Sequence, residues 1–363
     1  MPRALKLNGL LAELITDLWL RRVGRFHPGL AGARVAAPNL AALSFELRAS
    51  LVRENGWKLI SRRNEWFQRQ ALAQLKRKST NGNHTVFAYS YAAAEIFEFA
   101  RQRGWRTVLG QIDPGPAEER IVASLKDDKW KPAPQAYWDN WRRECALADL
   151  IVVNSNWSRD ALLGEGPAAE KIHVIPLAYE TCTDARSFQR LYPRAFSAER
   201  PLRVLFLGQI NLRKGVRELL EAVHLLQGEP VEFWFVGPIQ TAVTHELRLH
   251  PQCRWFSVAP RGKVDSYYRD SDVFILPTLS DGFGLTQLEA QSWKLPVIAS
   301  RYCGEVVRDG VNGVLLEEVS GVAIANVLRQ FLQTPATLSA MSVRSGVEEK
   351  FSLTTLASSL KRL

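Results

Sequence analysis

The chain has 363 residues, 46% of them hydrophobic, which is enough to fill two cores. Its formal net charge is +10, and no apolar run reaches the roughly 18 residues that a membrane-spanning helix needs. Four scattered cysteines with no C-x-x-C pair point away from a zinc ribbon or a disulfide framework. No charged start leads into an uninterrupted apolar run, so a cytoplasmic protein with reduced thiols is expected, with the inner face of the membrane as a further location.

In chain order, short apolar runs alternate with amphipathic stretches. The first half predicts strands near 85–89, 107–111, 150–154 and 172–175, and the second near 202–207, 231–236, 254–257, 273–276, 296–299 and 313–316. Such alternation builds parallel sheets covered by helices. The expected class is therefore α/β, with two Rossmann-like, doubly wound domains facing each other across a cleft. Residues 1–179 would form the first domain, the polar stretch 180–200 a linker, 201–345 the second domain, and 346–363 a closing helix returning to the first.

Lys and Arg cluster in the first half, at Arg62-Arg63, at Lys76-Arg77-Lys78, and at Arg101, Arg103 and Arg106. A basic face of this kind suits anionic lipid head groups, so peripheral membrane contact is expected there. No helix-turn-helix, zinc-finger or RNP pattern is present, and no nucleic-acid partner is expected. Asp113, in Gln111-Ile-Asp-Pro-Gly-Pro, follows a buried strand, and an Asp before Pro-Gly is by itself an ordinary turn former.

Residues 202–215 read Leu-Arg-Val-Leu-Phe-Leu-Gly-Gln-Ile-Asn-Leu-Arg-Lys-Gly, an apolar strand ending at Gly208 and a turn that opens an amphipathic helix. Arg213 and Lys214 thus stand at a helix start, where guanidinium and ammonium add to the helix dipole in holding a diphosphate. Taken alone, an Arg-Lys pair is as readily a solvated surface feature.

Residues 275–298 carry the second motif, Ile-Leu-Pro-Thr-Leu-Ser-Asp-Gly-Phe-Gly-Leu-Thr-Gln-Leu-Glu-Ala-Gln-Ser-Trp-Lys-Leu-Pro-Val-Ile. A strand is stopped by Pro277. Gly282 and Gly284 then allow the backbone to approach a ligand, and a helix start presents free N–H groups. Asp281 lies in the loop and Glu289 about one and a half turns into the helix, two acceptors suited to a polyol. Asp270-Ser-Asp272 has a metal-binding spacing, but Asp272 opens a buried strand, and no metal is expected there.

The loop and helix around Asp281 and Glu289 resemble the glycine-flanked Glu-x7-Glu motif of family 4 glycosyltransferases, with Asp281 where Glu is more usual. The resemblance extends upstream to the Arg213-Lys214-Gly215 turn and, in the first half, to 148–162 and 171–176. It implies the GT-B fold and a retaining enzyme that moves a hexose-type sugar from a nucleoside diphosphate to a saccharide or lipid-linked acceptor, in cell-surface polysaccharide or glycolipid synthesis. It also implies that the donor is a substrate and that no cofactor or metal is needed. Carried onto this sequence, Arg213 and Lys214 would meet the diphosphate, Asp281 the transferred sugar and Glu289 the ribose. Gly208, Gly237 and the backbone of Phe283, Gly284 and Leu285 would complete the donor cradle, and Asp113 would serve the acceptor.

Two departures stand out. The chain starts in what reads as the family's first helix, so the first strand and its glycine-rich loop are expected to be missing. Leu177-Ala178 also follows Pro176 where Asn-Gly is common. The first departure implies either a start site upstream of this sequence or a truncated copy, and it leaves open an alternative, a catalytically inactive sugar-nucleotide-binding or scaffold protein of the same fold.

Overall fold

The computed structural model describes residues 1–20, 28–77, 83–127, 130–242 and 248–363. Lys78, one of the basic residues singled out above, lies outside them. Twelve strands are present among the described residues. The first six are β1 Leu14–Ile15, β2 Val35–Ala36, β3 Thr85–Tyr89, β4 Arg106–Gly110, β5 Leu150–Val153 and β6 Ile172–Val174. The second six are β7 Leu202–Leu207, β8 Val231–Val236, β9 Cys253–Phe256, β10 Val273–Leu276, β11 Val297–Ala299 and β12 Gly313–Leu315.

The second domain contains one parallel sheet of six strands in the order β12-β11-β10-β7-β8-β9. Its central strand β10 reads Val-Phe-Ile-Leu and is buried at every position, as expected of a strand covered on both faces. The helix Val216–Leu225 packs on one face through Val216, Leu219, Leu220, Ala222 and Val223. On the other, Tyr268, Trp293 and Ala290 close over Leu205 and Phe274. The chain order reverses between β7 and β10, paired from Val204↔Val273 to Leu205↔Phe274. At such a reversal the two outgoing loops part and leave a crevice at the carboxyl ends of the strands.

The first domain holds a four-stranded parallel sheet in the order β3-β4-β5-β6. Its strands follow chain order, so the reversal that makes a sheet doubly wound is found in the second domain and not among the described strands of the first. The chain opens in a helix, Pro2–Leu7, and β1 pairs only with β2, apart from the four-stranded sheet. The last helix, Leu353–Arg362, buries Leu356, Ala357 and Leu360 against Ala4, Val108, Val152 and Ile175, so the chain ends on the first domain.

The polar segment between the domains is tied down along its length. A short helix, Thr183–Ser187, is followed by Arg190, whose guanidinium donates to the carbonyls of Tyr268 at 2.7 Å, Trp293 at 3.0 Å, Arg269 at 3.1 Å and also Ser271. Arg200 grips Asp272 with two bonds of 2.6 and 2.7 Å, and the same carboxylate accepts from the Arg203 N–H at 2.9 Å. Asp272 therefore anchors the linker to the start of β10, with its lone pairs taken by donors.

Candidate functional site

The two loops that leave β7 and β10 at the reversal carry most of the charge in the cleft. After Gly208, the chain makes a single 3₁₀ turn at Leu212–Lys214, capped by Asn211, whose side chain accepts from the Lys214 N–H at 3.1 Å. Arg213 and Lys214 therefore sit in the turn ahead of the helix Val216–Leu225, not in its first residues. Gly215 joins the two in the left-handed region (φ 74°), where a Cβ would overlap the Pro277 carbonyl. That contact locks the cationic turn onto the end of β10.

The second loop brings Asp281 back to this turn. The Lys214 ammonium donates to one Asp281 oxygen, and Arg213 donates to the Ser280 carbonyl at 2.8 Å. The Thr278 hydroxyl and the Leu279 N–H both donate to the Arg213 carbonyl, at 3.2 and 2.8 Å. Gly237 closes the floor, since a Cβ there would overlap the Gly208 carbonyl, while Gly208 itself faces open space.

Gly282 has a different role from the one its sequence context suggests. A Cβ at this position would overlap the Ile112 carbonyl of the first domain, so the close approach it permits is between domains and not to a ligand. Its own carbonyl accepts from Ser155 Oγ at 2.9 Å and Ser158 Oγ at 3.3 Å. Beside it the Asn156 N–H donates to Glu305 at 2.9 Å, and Trp157 packs edge-on against Tyr302 at 5.0 Å. The domains thus meet at the candidate site itself.

From the first domain, the loop after β4 contributes Asp113 and Glu118. One Asp113 oxygen accepts from the Tyr91 hydroxyl, from Gln111 Nε2 at 3.0 Å and from the Gly115 N–H at 2.9 Å. Burial pushes its carboxyl above the usual range, against the pull of those donors and of Arg213. Glu118 accepts from Arg213 at 3.3 Å and from Ser280 Oγ at 2.8 Å, and Ser280 in turn accepts from the Trp157 indole at 3.2 Å. Burial raises Glu118 as well, opposed by Arg213 and reinforced by the negative charge of Asp113 and Asp281. Asp113, Glu118, Arg213, Lys214 and Asp281 therefore share one electrostatic neighbourhood.

Glu289 stands apart from that group, one turn into the helix Thr286–Ser292, which opens with no side-chain cap. It accepts from the Tyr268 hydroxyl at 2.6 Å, and burial raises its carboxyl. Phe283 turns its ring into a small core against Phe351, at 6.0 Å between centroids, with the partly buried Leu285 packed beside it. Gly284, at φ 74°, completes the bend. A cleft of about 470 Å³ lined by Tyr179, Ser292 and Lys294 lies where the chain crosses between domains. None of the charged pairs above lines it, so charge and geometry, not cavity size, mark the site.

The sequence by itself assigns no role to Glu118, Ser280, Trp157 or Tyr268. Glu118 stands 95 positions from Arg213, and only its place five residues after Asp113, in the first turn of the helix Pro116–Ser124, hinted at the cleft. Several basic residues assigned to a membrane face are engaged elsewhere. Arg62 pairs with Glu54, Arg63 with Glu46 and Arg101 with Asp149, while Arg103 stacks over Phe99. Among the described residues, no group of three or more His, Cys, Asp or Glu is arranged to hold a metal ion, and no helix is long and apolar enough to cross a membrane.

Residues 201–334 match the family model described as glycosyl transferases group 1. Among curated proteins, the chain is 28% identical over 221 residues to D-inositol 3-phosphate glycosyltransferase of Xylanimonas cellulosilytica, covering 55% of this chain and 52% of that protein. It is 25% identical over 236 residues to the amylovoran biosynthesis glycosyltransferase AmsK of Erwinia amylovora, covering 58% and 55%. These matches span about half the length of each relative. Among solved structures, sucrose-phosphate synthase of Thermosynechococcus elongatus superposes with a TM-score of 0.71 at 18% identity, covering 99% of this chain and 90% of that one. Anabaena HepE in complex with UDP gives 0.62 at 15%, covering 96% and 90%. Likeness at that identity speaks to the fold, and the matched segment contains both loops of the crevice. Residues 201–334 are therefore similar to the glycosyl transferases group 1 family, and the chain has the GT-B fold.

Proposed function

We propose that the protein is a retaining glycosyltransferase that moves a hexose-type sugar from a nucleoside diphosphate to a saccharide or lipid-linked acceptor, in polysaccharide or glycolipid synthesis at the cytoplasmic face of a membrane. The observation that carries this reading is the meeting of Arg213, Lys214 and Asp281 at the reversal of the second sheet, with Asp113 and Glu118 facing them from the first domain. Arg213 and Lys214 exchange their carboxylate partners for the diphosphate and neutralise the charge that grows on it as the glycosidic bond breaks. That interaction is stronger in the transition state than in the ground state. Once Lys214 turns to the phosphate, Asp281 is released to accept from hydroxyls of the transferred sugar. Glu289, positioned by Tyr268, accepts from the ribose, and the backbone of Phe283, Gly284 and Leu285 lines the diphosphate with Gly208 and Gly237 behind it. Asp113, whose raised carboxyl sits in a ring of donors, orients the acceptor hydroxyl. No metal or further cofactor enters the scheme.

The relatives support the donor class, since HepE has been crystallised with UDP and with UDP-glucose. Calorimetric titration with UDP, GDP and their sugars tests it. Micromolar binding of one nucleotide, with slow hydrolysis of its sugar, is the expected result. Binding without any turnover on a panel of acceptors would favour an inactive, nucleotide-binding scaffold. Absence of binding to all of them would overturn the reading.

A further inference from the structure

The helix Asn39–Leu51 is apolar on two opposite sides. Ala42, Phe45 and Ala49 are buried, and Phe45 packs on Trp66 at 5.3 Å between centroids. On the far side, within an arc of about 80° at 100° per residue, Leu40, Leu43, Leu47 and Leu51 are 84%, 55%, 63% and 76% exposed. Val52, at the C-cap, is also exposed, to one side of this stripe. Leu18 and Leu20 adjoin its start, where the Asn39 side chain exchanges hydrogen bonds of 2.7 and 2.8 Å with the backbone of Trp19. A helix bathed only by water gains nothing from four leucines on its outer face, and a contiguous patch of this kind marks an interaction surface.

Charge selects the occupant. Residues 1–179 hold 26 Lys and Arg against 18 Asp and Glu, while 180–363 hold 21 against 19, so the first domain carries most of the net positive charge. A second copy docking here would bring two like-charged domains together. One leucine stripe along a helix about 20 Å long is also narrow beside the roughly 20–30 residues a side that stable protein interfaces engage. An anionic lipid surface satisfies both the leucines and the charge. Arg48 and Arg53 are exposed within a turn of Leu47, Leu51 and Val52, and neither has an ion-pair partner among the described residues, unlike Arg62 and Arg63.

We propose that Asn39–Leu51 is a membrane-surface anchor. It lies in the plane of an anionic bilayer, with its four outer leucines at the acyl boundary and Arg48 and Arg53 among the phosphates. The inference deepens the proposed function by placing the cleft where a lipid-linked acceptor lies, and it is tested without turnover, so that the two can fail separately. In co-sedimentation with vesicles of phosphatidylcholine, with and without phosphatidylglycerol, the wild-type chain should bind the anionic vesicles and bind the neutral ones weakly. Leu40→Gln with Leu47→Gln, both solvent-facing and therefore neutral to folding, should weaken binding at least about tenfold while leaving thermal unfolding and nucleotide titration unchanged. Arg48→Gln with Arg53→Gln should lose several-fold and flatten the salt dependence. Wild-type binding to neither vesicle, or leucine-variant binding equal to wild type, would overturn the proposal. So would a concentration-dependent dimer that the leucine variant dissolves, because the occupant would then be a second copy.

Discussion

The two domains arm the cleft by different means. On the second-domain side, backbone packing sets the charged groups: Gly215 rests on the Pro277 carbonyl and Gly237 on that of Gly208, and these contacts fix the turn that carries Arg213 and Lys214. On the first-domain side, a network of side chains does it, with Tyr91, Gln111 and the Gly115 N–H holding Asp113, and Ser280 and Arg213 holding Glu118. The difference matters for how each half can change. A backbone-built site tolerates no Cβ at a few positions and is otherwise indifferent to its neighbours, while a network-built site can be retuned one partner at a time. It also divides the ion pairs. Lys214–Asp281 lies within one domain and survives any movement between them, whereas Arg213–Glu118 joins the two and must break if they part.

Removing both second-domain cations is the most severe way to break this contrast. Arg213→Ala with Lys214→Ala deletes two charge-assisted contacts to the diphosphate, each typically about 1.5–3 kcal/mol, so turnover should fall about a thousandfold or more with the circular dichroism spectrum unchanged. Near-wild-type turnover would show that the diphosphate is held elsewhere. Gly282→Ala attacks the seam instead. Its Cβ must displace the Ile112 carbonyl, so kcat should drop about tenfold while nucleotide affinity, which belongs to the second domain, stays within a few-fold of wild type. Equal loss of both would mean that the seam and the donor site are one unit.

Glu118→Gln makes the smallest change and the sharpest test of the pair that joins the domains. Burial raises the Glu118 carboxyl, so as pH falls it takes up a proton earlier than a free Glu and releases Arg213. Nucleotide affinity in the wild type should therefore rise as pH falls through that raised value, and fall again as Glu118 ionises and competes for the guanidinium. The glutamine variant should bind a few-fold tighter at neutral pH with a flatter pH profile. A profile identical to that of the wild type would remove Glu118 from any competition with the donor.

Several parts of this protein are legible in the chain itself. Strands such as Leu202–Leu207 and Val273–Leu276 can be read because a buried parallel strand is a short apolar run between turn residues, and the pattern is local. The two motifs around Arg213-Lys214-Gly215 and Asp281–Glu289 can be read for the same reason, since each is a strand end, a glycine turn and a helix start within a few residues. Other features depend on which distant segments meet. Gly282 looks like a ligand-facing glycine until the Ile112 carbonyl is found against it, and Glu118 looks like an ordinary first-turn acid until Arg213 is found beside it. The same holds for Arg200 on Asp272, which turns a polar linker into an anchored one, and for the last helix lying on Ala4 and Val108. Local sequence determined the elements and their glycine-hinged turns. The tertiary structure alone decided which carboxylate faces which cation across the cleft, because that pairing depends on how two separately folded sheets come together and leaves no periodicity in either one.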